Sequence, residues 1–144
     1  MSWQQYVDSG MLAKGCMYAG IFGHNGSKWA TSQGFQLGVS EATKLARILV
    51  GKEDGLQELA RGFSICGQQY VALRAGVLDA DGFPPFVLGQ CVDKGKEQQR
   101  VIVICTLKAL VVGVYHPKYS KNRNLRDVAK DMDQLTDYII GVGY

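Results

Sequence analysis

Apolar residues recur at helical spacing at both ends of the chain and gather into strand-like runs through its second half. At the front, Trp3, Val7 and Met11 stand at i, i+4 and i+8, which predicts a helix from Trp3 to about Lys14. Ser2 is its expected N-cap and Gly15 its stop. Met17 to Gly23 reads as a strand and His24-Asn25-Gly26 as a hairpin turn, with Asn-Gly favouring positive φ at both central positions. The returning strand centres on Trp29-Ala30-Thr31. Ser40 is expected to cap a second helix carrying Ala42, Leu45, Ala46 and Leu49 on one side. Gly51 to Gly55 is a charged break, and Leu56 to Leu59 a further turn of helix.

Five strands follow closely: Phe63–Cys66, Gln69–Ala75, Phe86–Val92, Arg100–Cys105 and Ala109–Tyr115. Their short links predict antiparallel pairing; the longer one, Asp79 to Pro85, carries Asp-Gly and Pro-Pro, which break pairing. Val101 to Cys105 and Leu110 to Val112 are continuously apolar, so those strands need cover on both faces and the helices must divide between them. In the last helix, capped by Asn124, the expected buried stripe is Val128, Met132, Leu135 and Ile139, with Tyr138 at its border. Gly141 and Gly143 end that helix and free a tail bearing Tyr144.

Composition agrees with a sheet of short strands: Gly numbers 18 and Pro only 3 of 144 residues, so turns are frequent and strand breakers few. With no linker, repeat or low-complexity stretch, residues 1–144 read as one domain. No run approaches the ~18–20 apolar residues of a membrane span, and the front lacks a signal peptide's layout, so a cytosolic protein is expected. The cysteines Cys16, Cys66, Cys91 and Cys105 form no C-x-x-C, and neither metal nor cofactor is expected. Cys66 and Cys105 read as small core residues.

Charge changes the picture more. Over residues 1–90 the charges cancel, whereas from Lys94 to Lys130 only Glu97 and Asp127 oppose a series of Lys and Arg. Such a region attracts an acidic protein, anionic lipid or nucleic acid; the bland reading is a solvated loop face. Nucleic acid is disfavoured because no aromatics interleave the basic loop. An enzyme is disfavoured too: His24 lies in a turn, His116 precedes Pro117, and neither has a Cys, Ser or Asp partner at a motif spacing. A small-molecule sensor or scaffold domain, also a helix-covered antiparallel sheet, is the alternative, but it needs an interior pocket with converging polar groups.

Aromatics crowd both chain ends, and their pattern carries a resemblance. Ser2-Trp3-Gln4-x-Tyr6-Val7-Asp8, the spaced Gly15, Ala19, Ile21, Gly23, Gly26, Trp29 and Ala30, then Thr106 with Ala109–Tyr115, and Asp137–Gly141 together resemble the profilins, small actin-monomer-binding proteins. The match runs the length of the chain and weakens over residues 79–100 and 116–126. It implies an α+β, profilin-like fold: a central antiparallel sheet of about six or seven strands, with N- and C-terminal helices on one face and short helices on the other.

The resemblance also implies two surfaces. Trp3, Tyr6, Trp29, Tyr138 and Tyr144 match a groove for proline-rich peptides, with Val7 and Met11 packing behind Trp3 and Tyr6. Arg74, Lys118, Lys121, Arg123, Asn124 and Arg126 lie where the family meets monomeric actin; Gln69 stands where some members carry Lys. Lys94, Lys96 and Arg100 are matched to phosphoinositide headgroups. The function implied is non-enzymatic and cytoskeletal: binding actin monomers, promoting their nucleotide exchange, regulating polymerisation, and tethering actin to proline-rich factors such as formins.

Overall fold

The computed structural model describes residues 2–51, 54–76 and 84–144. Seven antiparallel strands form one sheet: β1 (Tyr18–Gly23), β2 (Lys28–Thr31), β3 (Phe63–Ile65), β4 (Gln68–Gly76), β5 (Phe86–Cys91), β6 (Arg100–Cys105) and β7 (Ala109–Tyr115). Their order is β2-β1-β7-β6-β5-β4-β3. Every neighbour is a sequence neighbour except β1 and β7, which pair from Tyr18↔Val114 to Gly23↔Ala109. That pairing joins the two ends of the chain. The helix before β1, α1 (Trp3–Gly10), and the helix after β7, α4 (Leu125–Gly141), therefore lie over the same face. The opposite face is covered by α2 (Val39–Leu49) and α3 (Asp54–Arg61).

Alternate side chains of β6 and β7 serve both cores, as their continuous apolar runs require. Ile102, Ile104 and Val111 pack towards α1 and α4, while Val101, Val103, Leu110 and Val112 pack towards α2. Helix α4 sits close on the sheet at Gly113, where an added Cβ would lie 2.6 Å from Met132 Sδ. Its buried stripe is Val128, Met132, Thr136 and Ile139. Thr136, not Leu135, is buried because its hydroxyl donates to the Met132 carbonyl at 2.7 Å, which removes the cost of an unpaired polar group. Leu135 turns instead towards Gly10 of α1.

Several local expectations change. α1 stops at Gly10, and Leu12–Lys14 forms a tighter 3-10 turn before Gly15 (φ 110°). α2 starts two residues before Ser40 would cap it: Gly38 is the cap residue, and the Glu41 carboxylate accepts its N–H at 2.9 Å. At Asn25-Gly26 only Gly26 has positive φ (85°), and a main-chain bond from Gly26 to Gly23 closes the turn one residue early. Cys66 is not a core residue: with Gly67 it forms the two-residue link between β3 and β4, both at positive φ (53° and 77°). The expected pairing break from Asp79 to Pro85 falls largely outside the described residues, as do positions 52 and 53 of the charged break.

Candidate functional site

The β1–β7 pairing brings together all five aromatics singled out in the sequence. Ser2 caps α1 through a reciprocal box with Gln5, fixing the first helical turn and placing Trp3 and Tyr6 on one side of it. Trp29 arrives from β2, and Gly23 at the end of β1 leaves room for its indole: a Cβ on Gly23 would lie 3.1 Å from Trp29 Nε1. The ring centroids of Trp3 and Trp29 are 4.8 Å apart, those of Trp3 and Tyr6 5.5 Å, and those of Tyr6 and Tyr138 6.0 Å. Tyr144 stands edge-on to Trp3 at 5.0 Å and to Trp29 at 6.1 Å. The result is a continuous aromatic strip assembled from α1, β2, α4 and the tail.

Exposure divides the strip. Tyr138 is 54% exposed and Tyr144 41%, whereas Trp3 and Trp29 are half-buried. Tyr6, at 7%, is part of the core, so its ring mainly supports its neighbours. Burial, reinforced by the charge and hydrogen bonding of the adjacent Tyr138 phenol, pushes the Tyr6 hydroxyl above its ordinary pKa, leaving it a protonated donor at neutral pH.

Tyr144 is not on a free tail. Its main-chain oxygen accepts from the Lys108 N–H at 2.6 Å and the Thr106 hydroxyl at 2.7 Å, and Lys108 Nζ lies 5.4 Å from its ring centroid. These β6–β7 turn residues were not among the candidates from sequence; nothing local marks a contact between residues 38 positions apart.

A second concavity opens on the same face. One row across the sheet runs Arg74↔Leu88, Leu88↔Ile102 and Ile102↔Gly113. Helix α4 covers Gly113, and Arg74 and Leu88 lie beyond its edge. An open hollow of about 650 Å³ results, lined by Arg74 and Leu88 from the sheet, by the cap residue Asn124, and by Arg126, Lys130 and Asp133 of α4. Burial, with the nearby Asp137 charge, raises the Asp133 pKa.

The remaining candidates are spread more widely. Asn124 spends its side chain as N-cap, accepting from the Asp127 N–H at 2.8 Å. Arg123 is an internal brace: it donates to the Lys14 carbonyl at 3.0 Å and pairs with Asp131. Lys118 lies over the Tyr119 ring, and Lys121 occupies a left-handed position in the loop before α4. Lys94 and Lys96 are exposed on the β5–β6 turn, while Arg100 folds back onto the Glu97 and Gln99 carbonyls.

His24 does meet a thiol in space, with Nε2 3.2 Å from Cys105 Sγ, but burial pushes that thiol up to about 12 and it is not an activated nucleophile. The same imidazole nitrogen lies 3.1 and 3.2 Å from the Thr106 and Ala109 carbonyls. Among the described residues, no group of three His, Cys, Asp or Glu is placed to hold a metal, and no helix is long and apolar enough to cross a membrane.

The chain was compared with known proteins. The sequence model of the Profilin family matches residues 1–144. Profilin-2 of Acanthamoeba castellanii is 32% identical over 145 residues, covering 100% of both chains. The solved profilin IA of the same organism superposes with a TM-score of 0.79 at 31% identity, over 99% of this chain and 100% of that one. Mouse profilin IIa, solved in complex with a double repeat from the FH1 domain of mDia1, shares the fold with a TM-score of 0.72 at 22% identity, over 100% of both chains. With its seven-stranded antiparallel sheet and its terminal helices on one face, the chain belongs to the profilin family of non-enzymatic, actin-binding proteins.

Proposed function

We propose that this protein binds monomeric actin through the α4–β4–β5 surface and proline-rich segments of assembly factors, formins among them, through the aromatic strip. The observation that carries the reading is the convergence of Trp3, Tyr6, Trp29, Tyr138 and Tyr144 from distant parts of the chain into one partly exposed surface. A polyproline II segment has no internal hydrogen bonds and is already extended, so it loses little entropy on docking. Flat rings pack against its pyrrolidines, and indole N–H and phenol O–H groups donate to its carbonyls. The sensor-domain alternative yields to membership of the profilin family.

For actin, the hollow combines an apolar floor (Leu88, Leu125, Ala129) with the charged rim of Arg74, Arg126 and Lys130. A basic rim accelerates association with an acidic partner and makes it sensitive to salt. Binding there regulates polymerisation by occupying one end of the monomer and promotes its nucleotide exchange, placing the protein in the cytoplasm with the cytoskeleton. Lys118, Lys121 and Asn124 extend this surface along the loop, while Arg123 supports it from within. The proposal includes anionic phosphoinositide headgroups at Lys94, Lys96 and Arg100, supported by the exposed ammonium groups of the β5–β6 turn.

Two titrations test the reading. Decaproline should change the intrinsic Trp fluorescence saturably, and the protein should slow spontaneous assembly of labelled actin while speeding nucleotide release from monomers. A flat fluorescence titration sinks the groove; no effect on actin at micromolar protein sinks the actin surface. Co-sedimentation with phosphoinositide vesicles, compared with uncharged ones, decides the lipid reading.

A further inference from the structure

Tyr144 is the groove residue with the least intrinsic reason to be in place. Beyond the last helical residue, Gly141, the chain turns at Gly143 (φ 100°), and the N–H groups of Gly143 and Tyr144 cap α4 on the Ile140 and Ile139 carbonyls at 3.0 and 3.1 Å. That cap fixes the main-chain N–H of Tyr144 and leaves its oxygen and its ring to be held by the β6–β7 turn. The Thr106 hydroxyl and the Lys108 N–H both donate to the Tyr144 main-chain oxygen, at 2.7 and 2.6 Å. The Lys108 ammonium lies over the Tyr144 ring, 5.4 Å from its centroid. The clamp is itself braced. Thr106 Oγ1 accepts the Ala109 N–H at 2.9 Å, and His24 Nε2 reaches the Thr106 and Ala109 carbonyls from the β1–β2 turn. Thr106 is buried at 5% exposure, so its hydroxyl has little water to turn to.

We propose that Thr106 and Lys108 are positioning residues for peptide recognition: they hold the Tyr144 ring edge-on to Trp3 and Trp29, closing one end of the groove before a ligand arrives. The inference rests on the aromatic strip being the proline-rich peptide site. The physical gain is preorganisation. A ring already in place loses no rotational freedom on binding, and a ring released from the clamp would have to be ordered by each ligand. Buried Thr106 acts through Tyr144.

The experiment uses the full chain and a small set of variants: Thr106→Val, Thr106→Ser, Lys108→Met, Tyr144→Ala, and the double variant Thr106→Val with Tyr144→Ala. Decaproline affinity is read by Trp fluorescence, and the ligand-free state by near-UV circular dichroism and acrylamide quenching of the indoles. Thr106→Val should weaken decaproline about three- to tenfold, the range expected for losing one aromatic contact, and match Tyr144→Ala. Thr106→Ser, which keeps the hydroxyl, should restore affinity. In the Tyr144→Ala background, Thr106→Val should add nothing.

Without ligand, Thr106→Val and Tyr144→Ala should alter the indole signals alike. Should Thr106→Val fail to fold, Lys108→Met carries the test, since it removes the cation over the ring and leaves the main-chain bond. Wild-type affinity and an unchanged ligand-free indole signal in the folded variants would overturn the clamp while leaving the groove intact. So would a full further loss of affinity in the double variant. If decaproline fails to bind even the wild type, the groove reading falls; the ligand-free indole signals still decide whether the turn positions Tyr144.

Discussion

Tyr138 and Tyr6 touch each other, yet their truncation should have opposite consequences. Tyr138 is 54% exposed, and its ring meets that of Tyr6 at 6.0 Å. Removing it gives up an edge contact of about 0.5–1.5 kcal/mol and little burial. Tyr138→Ala should therefore lower Tm by only a few degrees, at roughly 3 °C per kcal/mol for a chain of this size. If a proline-rich ligand packs on that ring, the same change should cost about 2 kcal/mol of binding, or roughly 30-fold in Kd. Tyr6 is 7% exposed, and Tyr6→Ala opens a cavity costing about 3–5 kcal/mol. Its Tm should fall by about 10–15 °C, so any lost affinity would report lost structure. Tyr6→Phe keeps the packing and isolates the hydroxyl. The assay pairs decaproline titration by Trp fluorescence with thermal melts followed by far-UV circular dichroism. A folded Tyr138→Ala that binds like the wild type would refute the division between exposed contact and buried support. A Tyr6→Ala that melts with the wild type would refute it from the other side.

Two further predictions concern charge. The Glu41 carboxylate accepts the N–H groups of Gly38 (2.9 Å), Cys66 (3.0 Å) and Gly67 (3.0 Å) and the Ser64 hydroxyl; burial alone would push its pKa up, but these bonds together hold it below the ordinary 4.5. Because the folded value is the lower one, this stability is complete well above pH 4.5 and disappears as the pH falls through the folded-state value. Glu41→Gln should cost about 2–3 kcal/mol in urea unfolding at pH 7, with the gap to wild type closing in acid; equal stability at both pH values would refute the bracing role. Arg74→Ala and Arg123→Ala should also separate. The first should slow actin association and flatten its salt dependence at unchanged stability. The second should lower stability by about 1–3 kcal/mol, because it breaks the bond to Lys14 and the pair with Asp131. Stopped-flow association and urea melts read the two effects, and the reverse pattern would refute the assignment.

How far the structure was legible in the sequence depended on the range of the interactions. The strands β6 and β7 were readable residue for residue because burial on both faces leaves continuous apolar runs. Ser2 and Asn124 were readable as caps because each bonds an N–H three residues on. Ser40 misled because α2 already begins at Val39, where the Ala42 N–H bonds the Gly38 carbonyl at 3.0 Å, and Cys66 because a turn residue between apolar strands looks like core. Leu135 and Thr136 exchanged roles since a threonine that satisfies its own hydroxyl within the helix can be buried. The aromatic strip came from resemblance and not from periodicity. Its cause, the β1–β7 pairing, joins segments far apart in the chain and leaves no local trace. The clamp on Tyr144 is non-local in the same way.

Helix α4 borders both proposed surfaces: Asn124, Arg126, Lys130 and Asp133 near its start line the hollow beside β4, and Tyr138 near its end stands in the aromatic strip. At 1.5 Å per residue, Arg126 and Tyr138 are about 18 Å apart along an uninterrupted helix. The helix therefore acts as a ruler. Two partners seated at its ends cannot slide towards one another, and the spacing between them is that of a rigid rod.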